Sequence, residues 1–389
     1  MAAQLDSGAA FELSLSLDNG CVRFFNDSGS SWLSEVLATA PQHLYTVLHG
    51  WNEIVLGYSK MLVAKQASAR KLRRCIRLSG TGVMLPLSLN NIFHATFHAV
   101  PAAERWAQAA AASSSEIHFI PLVYRSAAFG VVRSADPRSW FAWEYTIRAM
   151  TRLSGAEIAR RTSEILNAGC CCFERLEAAA PPFNAYARSS RERLYRFRRA
   201  VLGNVLSANE MQSDAQRRRT RVLYIPREHE DRAITNEAEV SRSLRALPNV
   251  ERLVFDGLSL SEQLRHVSEA IGLVSVFGQA LVWMVFLPAQ HMRTFVVELV
   301  QHEGAWKQDY VRWAATLGVR HFRSRGDMAA CKPDSSALHR AWQRKLRNYT
   351  RFIDCNLTVL AADVVEKTGA GIAWARGGNG DVVRRRDRG

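Results

Sequence analysis

Two positions in the second half of the chain combine residue types that bind anions. Arg227 follows the apolar run 222–225, and Gly278 follows the apolar run 273–276. Ligands of parallel sheets bind beyond the carboxyl ends of the strands, where a guanidinium can hold phosphate oxygens and a glycine lets the backbone approach them. The pair predicts a site for an anionic ligand that carries a nucleotide. A solvated arginine and a glycine that serves only the turn are the alternative interpretations.

Three further residues are predicted at the same edge. Arg232 lies five residues after Arg227, and Asn236 begins a predicted helix whose free N–H groups favour an anion. Glu298 ends another predicted strand and is placed to accept hydrogen bonds from a ribose or sugar hydroxyl. Pairing of Glu298 with a nearby arginine is an equally good interpretation.

Two histidines in the first half are candidates for acid–base chemistry. His94 and His98 are four residues apart in a segment that is predicted to open a helix near Asn91, so they share one helix face. No carboxylate or cysteine nearby completes a metal site, and no metal is predicted. We interpret one of the histidines as a general base, with buried structural histidines as the alternative.

The elements that must position these residues alternate between strand and helix. Strands are predicted at 222–225, 253–255, 273–276, 294–299 and 319–322, with helices between them, and Ser259 with Glu262 forms a capping box. This order predicts a doubly wound parallel sheet. Strands at 83–87, 117–123 and 168–176 predict a second, similar α/β unit in the first half.

These patterns divide the chain into six parts, and an arginine-rich segment, 188–206, is predicted to form an exposed or domain-crossing helix. The predicted parts are an N-terminal α/β extension (1–80), a first Rossmann-like domain (81–206), a linker (207–220), a second Rossmann-like domain (221–334), a C-terminal helical segment (335–366, with a helix from 335 to about 352) and a disordered basic tail (367–389).

The amino-acid composition and the net charge limit the kinds of binding partner that can be expected. A chain of 389 residues, 48% hydrophobic and 22% charged, is typical of a globular protein with two domains. Its net charge of +15 favours anionic partners. Nucleic-acid binding is a remote alternative, because no recognised nucleic-acid motif accompanies the arginine runs.

The cysteines and the apolar segments indicate in which cellular environment the chain can be expected. The seven cysteines include the run 170–172, show no C-x-x-C spacing, and by their odd number fit a disulfide framework poorly. A disulfide between Cys331 and Cys355 is left open. No signal peptide is visible, and no window approaches the roughly 20 apolar residues of a spanning helix.

Taken together, these segments resemble the family 61 glycosyltransferases. The motifs that carry the resemblance are Arg227, Arg232-Ala233-Ile234-Thr235-Asn236-Glu237, Ser259-Leu260-Ser261-Glu262-Gln263, Phe277-Gly278-Gln279-Ala280-Leu281, Phe286-Leu287-Pro288, Val296-Val297-Glu298-Leu299 and, in the first half, Asn91-Ile92-Phe93-His94.

The resemblance implies a GT-B arrangement, in which two Rossmann-like domains face a cleft and the second binds a nucleotide sugar, in particular a UDP-sugar. It also implies inverting, metal-independent transfer to a hydroxyl of a glycan or glycoprotein, with no cofactor. Location in the lumen of the Golgi or endoplasmic reticulum is a further implication. The implied roles are the catalytic base for His94, the acceptor side for Asn91 and His98, and donor binding for Arg227, Arg232, Asn236, Phe277, Gly278, Gln279, Ala280 and Glu298.

Three positions depart from the family pattern. Phe277 stands where the family has a histidine, Ala280 replaces its second glycine, and His98 replaces an acidic residue. Phenylalanine cannot donate a hydrogen bond to a phosphate. A catalytically weak relative that still binds a nucleotide sugar or a glycan is therefore the alternative to an active enzyme.

Overall fold

The computed structural model describes most of the chain and divides it into two compact units. The first unit comprises residues 1–189 and 199–205, and the second comprises 190–198 and 206–389. The described residues are 13–27, 31–38, 65–66, 72–86, 96, 116–122, 137–180, 190–207, 220–227, 233–290, 292–301, 309–331 and 355–377.

The first unit contains a seven-stranded mixed sheet. Its strands are β1 (Leu13–Asp18), β2 (Cys21–Asp27), β3 (Ser31–Ala38), β4 (Lys65–Gln66), β5 (Ile76–Pro86), β6 (Ile117–Leu122) and β7 (Cys170–Ala180). The strand order is β4-β3-β2-β7-β5-β6. Strand β1 also pairs with β7, on the same side as β2 but further along the strand. Helices α1 (Pro137–Arg148) and α2 (Gly155–Ala168) lie between β6 and β7 in the chain.

The parallel sheet predicted for the first half is only partly correct. Strand β5 pairs with β6 and β7 in parallel fashion. Strands β1 and β2 pair with β7, and β3 pairs with β2, in antiparallel fashion. The connection from β2 to β3 is too short for a crossover, so it forms a hairpin. Strands from the predicted N-terminal extension thus belong to the same sheet as strands from the predicted first domain.

Two disulfides tie this sheet together, in contrast to the poor fit predicted from the odd cysteine count. Cys21 on β2 is bonded to Cys172, its register partner on β7, and Cys75 is bonded to Cys170. Cys171 is buried and free, and burial raises the pKa of its thiol to about 11. Alternation along β7 turns Cys170 and Cys172 to one face and Cys171 to the other.

The second unit contains the predicted doubly wound sheet. Its strands are β8 (Arg221–Ile225), β9 (Val250–Arg252), β10 (Ala270–Val276), β11 (Phe295–Gln301), β12 (Arg320–Cys331) and β13 (Cys355–Val359). The strand order is β13-β12-β11-β10-β8-β9, in which only β13 is antiparallel to its neighbour. The predicted alternation of strands and helices is confirmed here, although β9 lies earlier and β12 extends further than expected.

Helices cover both faces of this sheet. Helix α3 (Arg191–Val205), the predicted arginine-rich helix, contributes its first half to this unit and its second half to the first. The other helices are α4 (Glu237–Arg245), α5 (Leu260–Ser268), a 3-10 helix (Gln279–Phe286), α6 (Asp309–Leu317) and α7 (Ala361–Ala375). Helices α4 and α7 pack on the face that carries Val274 and Val297. The 3-10 helix contacts β10, β11, α5 and α6.

The C-terminal part differs from the prediction. Residues 367–375, predicted to be disordered, form the second half of α7. Gly371 of this helix lies against the ring of Phe295, where any side chain would clash, so the glycine allows close packing on β11. The predicted helix 335–352 and most of the predicted linker fall outside the described residues. Cys331 and Cys355 face each other across the ladder of β12 and β13, but their side chains are not described.

Candidate functional site

The order of strands in the second sheet defines where a ligand can bind. Strands β8 and β10 are neighbours, but the chain continues from β8 to β9 on one side and from β10 to β11 on the other, so the two connections run in opposite directions. Such a switch point opens a crevice at the carboxyl ends of the two central strands. Arg227 follows β8 and Phe277-Gly278 follows β10, so the structure brings these predicted residues to the carboxyl ends of two neighbouring strands. Arg227 is half-buried there.

The turn after β10 is held rigidly. The N–H of Phe277 donates to the carbonyl of Leu299 at 2.8 Å, which extends the pairing with β11. The Phe277 ring packs edge-on against Tyr310, with 5.3 Å between ring centroids. The Tyr310 hydroxyl donates to the carbonyl of Gly278 at 2.6 Å. Residue 278 is therefore fixed by both its neighbours and α6.

The predicted helix after Gly278 is present as a 3-10 helix. Gln279 and Ala280 are half-buried in its first turn, and the residues from 281 to 286 are buried. The Leu281 N–H donates to the Gly278 carbonyl at 3.1 Å. In a helix of this kind the first N–H groups have no partner within the helix.

Glu298 lies in the centre of the sheet and is completely buried. Its Oε2 accepts a hydrogen bond from Nε of Arg323 at 2.7 Å. Nε2 of His321 lies 3.0 Å from the same oxygen, without the geometry of a hydrogen bond. Oε1 has no hydrogen-bond partner among the residues that the structure describes. The alternative interpretation of Glu298, a carboxylate paired with an arginine, is thus correct for Oε2. It does not account for Oε1.

The pairing with Arg323 was not predicted, because the sequence pattern ends the last strand at residue 322. Strand β12 continues to Cys331 and places Arg323 opposite Glu298 and Arg325 opposite Val300. Register partners on neighbouring strands share a face, and so do alternate residues. The signal that could have revealed this face is the alternation of basic residue types at 321, 323 and 325.

The segment that contains the predicted helix start is attached to β13. Backbone hydrogen bonds join Thr235 N–H to the Leu357 carbonyl and Leu357 N–H to the Ala233 carbonyl, both at 2.9 Å. The amide of Asn236 donates to the carbonyl of Val359 at 2.8 Å and accepts from its N–H at 3.2 Å. Asn236 therefore behaves as an additional strand residue that fixes the chain beside β13.

The electrostatics of the α4 start also differ from the prediction. Glu237 and Glu239 occupy the first turn, and their carboxylates offset the positive end of the helix dipole. Glu237 accepts a hydrogen bond from Nε of Arg252 at 2.9 Å, and Asn236 donates to Glu239 at 3.0 Å. The contacts of Asn236 and Glu237 within the protein give both a structural role.

The Ser-Leu-Ser-Glu-Gln segment is structural as well. The predicted capping box is confirmed, because the Ser259 side chain accepts from the Glu262 N–H while Glu262 accepts from the Ser259 N–H. Gln263 is buried, and its amide donates to the carbonyls of Phe255 and Leu258 at 3.2 and 2.9 Å. These contacts shape the turn that leads from β9 into α5.

Four predicted site residues, Asn91, His94, His98 and Arg232, fall outside the described residues. Within the described ranges, the structure shows no group of three or more His, Cys, Asp or Glu side chains that could hold a metal ion. In the same part of the chain, no helix is long and apolar enough to cross a membrane.

A doubly wound sheet with an arginine and a glycine at its switch point is typical of nucleotide-binding α/β domains. Residues 32–296 match the family model described as glycosyltransferase 61. This match covers most of the chain, and the protein belongs to glycosyltransferase family 61. No significant match was found among curated proteins. The matched segment ends at Val296, so Glu298 and all of β12 lie beyond it.

Proposed function

We propose that the protein is an inverting glycosyltransferase that moves a sugar from a nucleotide sugar, in particular a UDP-sugar, to a hydroxyl of a glycan or glycoprotein. Membership of the family supports sugar transfer in general. The observation that carries the donor assignment is the position of Arg227 and Gly278 at the two strand ends that flank the switch point.

Departure of a nucleoside diphosphate builds negative charge that the protein must stabilise. We assign this role to Arg227, to Arg232 and to the N–H groups of Gln279 and Ala280. Fixed donors stabilise such charge strongly because they need no reorganisation during the reaction. Asn236 then contributes by fixing the segment that follows Arg232. Oε1 of Glu298 is suited to accept a hydrogen bond from a ribose or sugar hydroxyl.

The other half of the reaction is assigned to the first unit in a GT-B arrangement. His94 is proposed to remove the proton of the acceptor hydroxyl as it attacks the anomeric carbon, with Asn91 and His98 on the acceptor side. Single displacement by the acceptor inverts the anomeric centre, and the nucleoside diphosphate leaves without a cofactor. Stabilisation by arginines makes a metal ion unnecessary in this proposal.

The disulfides support a location for this reaction. Disulfides persist in oxidising compartments and are rare in reducing ones. The two disulfides of the first unit therefore favour the secretory lumen, where glycans and glycoproteins are available as acceptors.

Replacement of Arg227 by alanine is expected to abolish binding of UDP while the fold is kept, because Arg227 is half-buried at the crevice and supplies its cation. Calorimetric titration with UDP measures the loss, and thermal unfolding monitors the fold. Arg312→Ala is the matched control, since Arg312 is an exposed arginine on α6 of the same unit. Equal affinity for UDP in both variants would remove Arg227 from the site.

A catalytically weak relative that binds donor without turnover is the second candidate, and Phe277 favours it. This ring packs on Tyr310 and has no hydrogen-bond donor for a phosphate. The purified protein is expected to release UDP from at least one member of a panel of UDP-sugars. Binding of the panel, seen as a rise in melting temperature, without any release would favour the weak relative.

Replacement of Phe277 by histidine is expected to raise the rate of UDP release by about tenfold or more, because the imidazole adds a donor near the diphosphate. The rate of UDP release with saturating donor is the measurement. Phe277→Leu serves as the control, since it disturbs the packing on Tyr310 without adding a donor. Equal rates for the histidine and leucine variants would contradict the expected role of this position.

A further inference from the structure

We infer that Arg323 and Arg325 form a second cationic subsite for the diphosphate, opposite Arg227, and that Glu298 is the positioning residue that orients Arg323. This inference rests on the proposed function, because it adds protein groups to the same donor site. Glu298, Arg323 and Arg325 lie beyond the segment that matches the family model.

The register of the sheet places Arg323 and Arg325 on one face of β12, near the carboxyl ends of β8 and β10. Ile225, Ser275, Glu298 and Arg323 are successive partners across β8, β10, β11 and β12. Two residues further along, Val300 pairs with Arg325, while Arg227 and Phe277 follow two residues after Ile225 and Ser275, beyond the ends of β8 and β10. Both rows therefore lie level with or just beyond the carboxyl ends of β8 and β10, although β11 and β12 continue past them.

The distance between the two groups suits a shared ligand. Three strand spacings separate β8 from β12, which is about 14 Å between backbones. Phe277 and Gly278, which directly follow β10, lie between them. Two long guanidinium side chains that approach from opposite sides can meet a diphosphate held above Gly278. Guanidinium groups bind phosphate oxygens through paired hydrogen bonds.

The buried carboxylate explains how Arg323 is oriented. Glu298 is completely buried on the central strand and accepts from Nε of Arg323, so this hydrogen bond fixes the orientation of the guanidinium. The second carboxylate oxygen, Oε1, has no partner in the described parts of the chain. A buried acceptor without a partner is costly, and a ligand hydroxyl beside the diphosphate would satisfy it.

Arg325 supplies the accessible charge. Its side chain is exposed at the same edge, and it follows Arg323 by two residues on the same face of β12. The carboxylate of Glu298 balances Arg323, and Arg325 remains as an exposed cation on this face, with the exposed Asp327 two residues further along the strand. The exposed guanidinium of Arg325 favours phosphate groups over a neutral nucleoside.

The test compares the affinities for UDP and for uridine by calorimetric titration. Arg325→Ala is expected to weaken UDP binding about tenfold, the size expected for loss of one charge-assisted hydrogen bond. Its affinity for uridine, which has no phosphate, is expected to stay unchanged. Arg312→Ala removes the same charge elsewhere in the unit and is expected to leave both affinities unchanged.

Variants of the buried pair test the positioning role. Arg323→Lys keeps the charge but not the planar group that Glu298 orients, and Glu298→Gln keeps the shape but not the charge. Each is expected to reduce the ratio of UDP affinity to uridine affinity several-fold. General loss of structure would weaken the binding of both ligands alike and leave the ratio unchanged. An unchanged ratio in these variants would therefore overturn the positioning role.

The outcomes separate this inference from the proposed function. Wild-type protein that binds neither UDP nor UDP-sugars would overturn both. Wild-type affinity for UDP that depends on Arg227 but is unaltered in Arg325→Ala and Arg323→Lys would overturn the second subsite alone.

Discussion

Replacement of Cys172 by serine is expected to lower the free energy of unfolding of the first unit by about 2–5 kcal/mol, the usual cost of losing a native disulfide. Cys21 and Cys172 are 151 residues apart in sequence, and Cys75 and Cys170 are 95 apart. Closure of such long loops restricts the unfolded chain strongly. The double replacement of Cys170 and Cys172 is expected to cost more than either single one.

Thermal unfolding with and without a reductant measures the effect, and hydrogen exchange of β2 and β7 shows whether it is confined to the first unit. Cys171→Ala is the matched control, because Cys171 lies between the two disulfide-bonded cysteines but is itself free. Burial keeps its thiol protonated by raising its pKa to about 11, so exchange with the disulfides is slow. The same melting temperature for Cys172→Ser and Cys171→Ala would contradict a stabilising role for the disulfide.

Replacement of Arg323 by alanine is expected to destabilise the second unit by about 3–5 kcal/mol, because it leaves the buried Glu298 carboxylate without its cation. Glu298 is completely buried, while the Arg323 side chain is 16% exposed. The effect is therefore that of a buried pair and not of a surface ion pair, which contributes little.

Chemical denaturation of each variant provides the measurement. Arg325→Ala, two residues further along the same strand, is expected to change stability by no more than about 0.5 kcal/mol because its side chain is exposed. The double variant Glu298→Gln/Arg323→Met is expected to recover much of the loss, since it removes both charges and keeps their volume. A loss in Arg323→Ala no larger than that in Arg325→Ala would show that the pair contributes little.

The local patterns of the second half could be predicted well from sequence. Short apolar runs between helical segments identified β8, β10 and β11, and the spacing of Ser259 and Glu262 identified the start of α5. These features depend on neighbours within one or two turns of the chain. The motif order was also sufficient to recognise the family, which is confirmed over residues 32–296.

The partners of the candidate site residues could not be predicted. Asn236 bonds Val359, which lies 123 residues later, and Glu298 bonds Arg323 on the neighbouring strand. Both partners depend on which strands become neighbours and in which register. The same dependence explains the first sheet, where the disulfide between Cys21 and Cys172 follows from the antiparallel pairing of β2 with β7.

By itself the sequence determined the class of fold, the family and the edge of the sheet where Arg227 and Gly278 would lie, because hydrophobic periodicity and turn residues act locally. Only the tertiary structure decided the strand order that makes this edge a switch point, the structural roles of Asn236 and Gln263, and the pairing of Glu298 with Arg323. Those features arise from contacts between segments distant in the chain, and such contacts are specified by the packing of the whole unit and not by any one segment.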